Sequence, residues 1–368
     1  MGVGQGAVEM LVNGSGWRGR RVFLTGHTGF KGSWLALWLH RLGAEVTGFA
    51  LPPPTDPSLF ATARIGELVT HVEGDVRDAG AVAEAMAGAR PEVVFHLAAQ
   101  PLVRLSYEEP VETYATNVMG TVHVLEAARR VGAAATVCVT TDKCYENREQ
   151  IEPYRETDAM GGHDPYSSSK GCAELVVAAY RRSYFADAGL QLASARAGNV
   201  IGGGDYALDR LVPDLVRAFE RGEAPAIRFL HAVRPWQHVL EALGGYLLLA
   251  ERLLAGEAEL AGAWNFGPAD DDARAVSWIV ERMRGAWGGG AAEAVGWTGA
   301  APHEAGLLRL DISKARAMLG WSPSLPLADA LDWIVAWHKA VAAGEDPRAV
   351  TAAQIDAYAA RALSGGRG

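Results

Sequence analysis

Apolar and polar positions in the first part of the chain alternate between short apolar runs and stretches that suit helices. From Arg21 the order is RVFLTG, HTGFKG, SWLALWLHRLG and AEVTGFAL, which reads as strand, turn, helix, strand. Further apolar runs follow at LVTHVEG, at Pro91–Ala98 (PEVVFHLA), at Ala134–Thr140 (AATVCVT) and at Leu190–Ala197 (LQLASARA), with helix-compatible segments between them. This alternation predicts an α/β fold with a doubly wound parallel sheet. The first helix should stop at Leu42–Gly43, and Pro52, Pro53 and Pro54 then forbid regular structure. After Gly202 the rhythm changes, and shorter helices with irregular loops are expected. A large lobe over 20–200 and a smaller, mostly helical lobe over 201–345 follow from this pattern. A segment at about 236–268 should return to the first lobe, because AWNFG reads as a strand ending at a Gly-Pro turn. Residues 1–19 read as a loose arm, and the Ala-rich stretch from Val341, with its tail over 346–368, as a surface helix or a frayed end.

Composition narrows the field. At 368 residues the chain exceeds one ordinary domain, which suits two lobes sharing a cleft. Apolar residues make up 49%, yet no run approaches the ~20 uninterrupted apolar positions that a membrane helix needs, so no membrane association is expected. The net charge of −9, with Lys and Arg scattered, lacks the footprint of a nucleic-acid binder. The start, Gly-rich and carrying Glu9, does not read as a secretory signal. Cys138, Cys144 and Cys172 form no CxxC pair, which points to a reducing cytoplasm and away from a metal site.

Gly26, Gly29 and Gly32 lie where the first strand meets the first helix, at a spacing that permits a tight turn and close approach of a pyrophosphate. The helix N-terminus there offers free N–H groups and a favourable dipole, as in a Rossmann dinucleotide site. Lys31 inside the motif is either a phosphate ligand or a solvated side chain. The acidic residue usually found ~20 positions further on, on the adenosine ribose, has no counterpart at Phe49, Ala50 and Leu51, and no Arg follows that strand. The residues therefore leave NAD and NADP both open. Asp75, in EGDVRD, is a candidate for the adenine edge or a simple loop cap.

Tyr166 and Lys170, in DPYSSSK, stand one helical turn apart and share a helix face. A tyrosine hydroxyl is a poor base at neutral pH, and a nearby ammonium should lower its pKa from ~10. The phenolate can then take a proton from a sugar hydroxyl while a nicotinamide takes the hydride from the same carbon.

These motifs together resemble a known family. TGHTGFKG, HLAAQ at His96–Gln100, TTD at Thr140–Asp142 and YSSSK at Tyr166–Lys170 resemble the extended short-chain dehydrogenases/reductases, the NAD-dependent epimerase/dehydratase family, over nearly the whole chain after Arg21. HTGFKGSWLALWL, TTDKCYENRE, GGHDPYSSSKGCAEL, ARAGNVIGGGD and VRPWQHVLE resemble, more narrowly, the CDP-glucose 4,6-dehydratases. The resemblance implies NAD as cofactor, held by Gly26, Gly29, Phe30, Lys31, Gly32, Asp75, Val76, Ala98, Ala99, Gln100, Thr140, Tyr166 and Lys170. It implies a catalytic set of Thr141, Asp142, Lys143, Tyr166 and Lys170. Thr141 would bond the sugar 4-hydroxyl, and Asp142 would protonate the departing C6 hydroxyl from a carboxyl whose pKa is raised. Lys143 stands where many dehydratases carry Glu; either it, with its pKa lowered, or Asp142 would handle the C5 proton, and the plainer reading of the two is a surface ion pair at a strand end.

Gln100, Asn199, Arg210 and Arg234 are implied to contact the nucleotide sugar, CDP-glucose, and a homodimer is implied through the Tyr166 helix and the Val111–Val131 helix. Gly202–Gly204 is either part of that contact or a flexible loop, Trp236 either packs a base or fills core, and His96 reads as a packed strand-end residue. Two departures from the pattern are the long start before Arg21 and QIEP at Gln150–Pro153, where an aromatic-rich stretch is more usual; the second bears on base or sugar choice. A sugar epimerase or a GDP-mannose 4,6-dehydratase would share Tyr166 and Lys170 but carry a different pair at Asp142–Lys143. A non-catalytic dinucleotide sensor would lack the tyrosine or the lysine.

Overall fold

The computed structural model describes residues 16–288, 293–296 and 307–365. Its centre is a seven-stranded sheet of β1 (Arg21–Thr25), β2 (Glu45–Ala50), β3 (Thr70–Glu73), β4 (Val93–His96), β5 (Ala135–Val139), β6 (Gln191–Ala197) and β7 (Ala263–Phe266). The order is β7-β6-β5-β4-β1-β2-β3, and every pairing is parallel. The chain leaves β1 toward β2 and β3 and returns to β4 on its other side, so the C-terminal ends of β1 and β4 flank a topological switch point, where open parallel sheets bind ligands. β4 and β5 are buried along their whole length, because helices cover both faces; such strands read as unbroken apolar runs.

On one face lie α1 (Phe30–Arg41), with Trp34 and Trp38 fully packed, and the long helix that follows the second half of the chain. On the other lie α2 (Ala79–Ala89), α3 (Gly120–Val131) and α4 (Pro165–Tyr180) over Phe23, Val94, Leu125 and Phe185. α1 ends with Leu42 at the cap and Gly43 at φ 84°, the left-handed turn that the Leu-Gly pair leads one to expect. α4 starts from Asp164, whose carboxylate accepts from the Ser167 N–H, with Pro165 in the first turn.

The expectation of shorter helices after Gly202 does not hold. α5 (Leu211–Arg221) and α7 (Val276–Trp287) are followed by α8 (Leu327–Ala342), and between them α6 (Val239–Leu254) runs 16 residues. α6 is apolar on nearly all sides because the sheet, the neighbouring α1 and Tyr358 from the C-terminal helix close around it, so periodicity did not mark it. β7 then runs beside β6 as the outer strand. A third core, of Val216, Phe219, Ile279, Met283, Leu331 and Ile334, joins α5, α7 and α8.

The N-terminal end differs from its expected looseness, and the C-terminal end takes the helical form that is one of its two readings. At 16–19 the expected arm is packed: Trp17 is fully buried against Phe95, and the Gly19 N–H donates to the Gly43 carbonyl at 2.8 Å. The rest of that arm, 1–15, lies outside the described residues, as do 366–368 of the tail. The remainder of the tail forms α9 (Pro347–Gly365), where Tyr358 is buried against Trp38 and Arg41 pairs with Asp356. Among the described residues no helix is long and apolar enough to cross a membrane, and no group of acidic, His or Cys side chains is placed to hold a metal ion.

Candidate active site

The glycine cradle sits at the C-terminal end of β1. Gly26 has φ 77°, and a Cβ there would lie 2.7 Å from the Ala98 N, so this position needs glycine for the turn past β4. At Gly32 a Cβ would lie 2.1 Å from the Gly26 carbonyl oxygen, so this glycine lets α1 pack onto the turn. Gly29 differs: its φ is −80°, and a Cβ would meet only the Gly26 oxygen, at 3.4 Å. The first turn of α1 has no side-chain cap and no acidic residue, which leaves its amides and its dipole for an anion. An uncapped helix end fronted by an open glycine fits a dinucleotide pyrophosphate. Phe30 packs beneath Gly202, Val76 packs against Gly120, and Ala98 and Ala99 lie half-buried just past β4.

Along the same edge of the sheet, β5 delivers Thr140 and Thr141, and Asp142–Cys144 form one 3₁₀ turn capped by Thr141. The Thr141 hydroxyl donates to the Asp142 Oδ1 at 3.0 Å and accepts from the Lys143 N–H at 3.3 Å. Asp142 is 2% exposed, and its Oδ2 has no hydrogen-bond partner. Burial pushes its carboxyl up, against the pull of Lys143, the Thr141 hydroxyl, Arg234 and Lys31. Tyr166 faces this turn from α4, and Lys143 is half-buried beside it.

Lys170 is not among the main influences on the Tyr166 hydroxyl. Burial holds the Tyr166 hydroxyl up at about 12; the Thr141 hydroxyl and the charge of Arg210 pull it down, while Asp142 raises it further. Lys170 instead faces Cys138, Cys144 and Glu174, and burial lowers it to about 8. Desolvation of the phenol outweighs any cation within reach of it.

Lys31 is not a solvated surface lysine. It is half-buried 5.9 Å from the Tyr246 ring centroid, and burial together with the charges of Arg210 and Lys170 lowers it to about 7. It thus joins the cradle to the Asp142 end. Arg234, 5% exposed, bears on Asp142, and half-buried Arg210 bonds Asp205 at 3.1 Å while bearing on Tyr166. Half-buried Asn199 opens the short strand paired with Trp236–His238.

Other candidates already have partners within the protein. The Gln100 amide bonds Leu102 twice and Thr113 once, and its backbone N–H donates to Asn117. Asp75 is engaged by Arg77, which holds its carboxyl below the usual range. Gly202, Gly203 and Gly204 are no flexible loop: Cβ atoms there would strike Phe30, Trp337 and Leu59. Trp236 fills the third core. His96 bonds Thr25 at 2.8 Å and Thr121 at 3.1 Å and is lowered to about 3 by burial, which leaves it neutral.

With this geometry in view, the comparisons with known proteins are specific. The model of the NAD dependent epimerase/dehydratase family matches residues 22–284. A CDP-glucose 4,6-dehydratase of Salmonella typhimurium is 52% identical over 354 residues, covering 95% of this chain and 98% of that one. The chain belongs to the NAD dependent epimerase/dehydratase family. Among solved structures, the UDP-glucose 4-epimerase of Thermus thermophilus with NAD superposes with a TM-score of 0.73 at 25% identity, covering 87% of this chain and 99% of that one. The dTDP-glucose 4,6-dehydratase of Streptomyces venezuelae, with NAD and TYD bound, gives a TM-score of 0.72 at 24% identity, covering 89% and 99%.

Within this family member, sequence reasoning missed a buried ion pair under the site. Glu174 and Arg196, 3% and 4% exposed at their side chains, lie 2.7 Å apart, and Glu174 also accepts from Thr140 and Ser194. A signal existed for both. Glu174 continues the Tyr166, Lys170 spacing by one more turn, and Arg196 is a charge inside an otherwise apolar strand.

Proposed function

We propose that this family member is an NAD-dependent CDP-glucose 4,6-dehydratase that converts its substrate to CDP-4-keto-6-deoxyglucose with loss of one water. The observation that carries the reading is the buried, partner-poor Asp142 carboxyl beside the hydroxyls of Thr141 and Tyr166. An enzyme that only oxidises and re-reduces C4 needs the tyrosine and the threonine; loss of the C6 hydroxyl needs in addition a general acid, and burial pushes the Asp142 carboxyl toward its protonated form. The high identity to the Salmonella dehydratase supports CDP-glucose as the substrate.

In this reading the Thr141 hydroxyl orients the sugar 4-hydroxyl and Tyr166 accepts its proton as phenolate, the form that the Thr141 hydroxyl, Arg210 and the positive charge of a bound nicotinamide would favour against burial. Bound NAD supplies a hydride acceptor at C4 and a donor at C6, so its net redox state does not change. Once C4 is a ketone, the C5 proton is acidic, and Lys143, next to Asp142, takes it. Asp142 gives its proton to the departing C6 oxygen, which leaves as water, and Lys143 returns the proton to C5 when hydride is given back at C6. The open first turn of α1 holds the pyrophosphate of NAD, and Arg210 and Arg234 meet the substrate diphosphate, where two guanidinium groups suit a doubly charged partner.

The reading extends to a cytoplasmic homodimer. Three free thiols suit a reducing compartment. Exposed Val111, Tyr114 and Met119 on the 110–131 helix and Leu175 on α4 offer an apolar face to a second copy. The test of function is to incubate the protein with CDP-glucose, dTDP-glucose, UDP-glucose and GDP-mannose and weigh the products. CDP-glucose should lose one water fastest with no net NADH; equal rates on all four would remove CDP from the reading, and stoichiometric NADH would remove dehydration. Light scattering tests the dimer, which a monomer mass would refute.

A further inference from the structure

The segment Thr141–Lys143 carries the groups assigned to elimination, yet little within it holds its shape. It is a single 3₁₀ turn whose internal backbone hydrogen bonds, Cys144 N–H to Thr141 and Tyr145 N–H to Asp142, are long at 3.4 and 3.5 Å. Its two flanks are tied to one buried object. On the N-terminal side the Thr140 hydroxyl donates to the Glu174 Oε1 at 2.5 Å. On the C-terminal side an Arg196 Nη1 donates to the Tyr145 hydroxyl at 2.7 Å, and the guanidinium lies 4.9 Å from the Tyr145 ring centroid. The other Arg196 Nη closes on Glu174 at 2.7 Å, and the Tyr145 hydroxyl donates onward to Asn265 on β7, also at 2.7 Å.

We propose that the Glu174–Arg196 ion pair is a positioning clamp for the reaction, gripping Thr140 and Tyr145 so that Thr141, Asp142 and Lys143 are held against Tyr166. The clamp rests on the functional reading above for its catalytic consequence but not for its geometry. Glu174 sits two turns along α4 from Tyr166 and one from Lys170, so the same carboxylate sets the rotation of the helix that presents the tyrosine. Stability alone does not account for such a pair. Two charges withdrawn from water seldom hold a fold better than apolar side chains of the same size, whereas they fix geometry by direction. The pair links β5, the 3₁₀ turn, α4 and β6, and through Tyr145 it reaches β7, all of which converge on the site.

The test uses variants that separate folding from placement. Glu174→Leu together with Arg196→Met removes both charges at once, so the melting temperature should stay near that of the wild type. Its kcat for CDP-glucose should still fall by about 10–100-fold with KM changed less than about threefold, the cost of a misplaced reacting group. Tyr145→Phe removes one hydroxyl and should lower kcat by about fivefold to tenfold on the same reasoning. Without any substrate, hydrogen exchange of the amides at 141–145 should quicken in both variants while that of 21–41 is unchanged.

Glu174→Gln adds a reading that a purely structural role would not move. Lys170 is faced by Lys31 from α1, His96 from β4, Cys138 from β5 and Cys144 from the turn, with Glu174 the one carboxylate supporting its charge from its own helix. Loss of that carboxylate should lower the pH at which Lys170, which the family resemblance assigns to the cofactor and the catalytic set, gives up its proton, and so move the alkaline limb of kcat to lower pH. A double variant with wild-type kcat and unchanged exchange at 141–145 overturns the clamp. If that variant fails to fold, wild-type kcat and exchange in Tyr145→Phe overturn it instead. A wild-type protein inactive on CDP-glucose, with exchange at 141–145 quickened in the variants, would sink the substrate reading and leave the clamp standing.

Discussion

The two ends of the proposed site offer contacts of opposite kinds. At the cradle the contacts are offered by backbone: an uncapped helix end, a left-handed Gly26, and a Gly29 with open space where a side chain would be. At the Thr141–Lys143 turn they are offered by side chains drawn from β5, α4 and the segments around Arg210 and Arg234, and Asp142, Tyr166 and Lys170 among them are buried and electrostatically displaced. Backbone recognition needs only local sequence and tolerates water nearby. Proton transfer between side chains needs desolvation, which only the packed fold provides.

If that division is right, the largest loss belongs at the side-chain end. Tyr166→Phe removes the acceptor of the C4 hydroxyl proton and should stop both oxidation and water loss, near the upper end of the ~10²–10⁴-fold typical of general acid–base groups. Absorbance at the NADH band in a single turnover should stay flat. Asp142→Asn, nearer ~10²-fold, should spare the oxidation and slow elimination, so the same measurement should show NADH accumulating. Loss of that signal as complete as in Tyr166→Phe would move Asp142 to the first step.

The cradle should respond by affinity instead. Gly29→Val meets no backbone clash and needs no left-handed φ, so the fold should survive. Its side chain would hold the pyrophosphate off the amides and weaken NAD binding by roughly tenfold or more in a calorimetric titration. Gly32→Ala should instead lower the melting temperature, because its Cβ would drive into the Gly26 carbonyl. Reversal of these two outcomes would show that the phosphates lie elsewhere.

The smallest effect separates a functional buried carboxylate from a structural one. Glu241, like Asp142, is pushed up by burial, to about 7, but its oxygens are fully used: the N–H groups of Ser324 and Leu325 and the hydroxyl of Tyr358 donate to them. Folded Glu241 keeps its proton to about pH 7, whereas the unfolded chain releases it near the ordinary value of 4.5. Its stabilising contribution is therefore full below pH ~4.5, lost as pH rises to about 7, and constant above that. The loss is at most about 3 kcal/mol. Glu241→Gln should flatten the fall in melting temperature between pH 5 and 7.5 and leave kcat alone. A matching slope in wild type and variant would assign the pH dependence to another group.

Much of this could be read before any coordinates. The strands from Arg21 to Ala197 stand where their apolar runs lie, and Tyr166 and Lys170 share a helix face. The misreadings have a common cause. α6 lacks a polar face because it is covered on all sides, so its pattern resembled irregular chain. For Gly202–Gly204 a flexible loop stood open beside a substrate contact, yet each glycine is demanded by a side chain distant in sequence. Lys31 looked solvated, and only the arrival of Tyr246, Arg210 and Lys170 from other elements makes it a buried, weakened cation.

By itself, the sequence determined what local chemistry can decide: the βαβ opening, the glycine turn at an uncapped helix end, and a tyrosine and a lysine one turn apart. These depend on backbone geometry and on spacing along one element, which travel with the residues. The tertiary structure alone decided which charges are desolvated and which of them meet: the raised Asp142, the Tyr166 phenol held up at about 12, the Glu174–Arg196 pair beneath both, and the carboxylate of Glu241 closed in by Ser324, Leu325 and Tyr358. The reason is that the energy of a charge depends on the water excluded around it, and exclusion is the joint work of residues far apart in the chain.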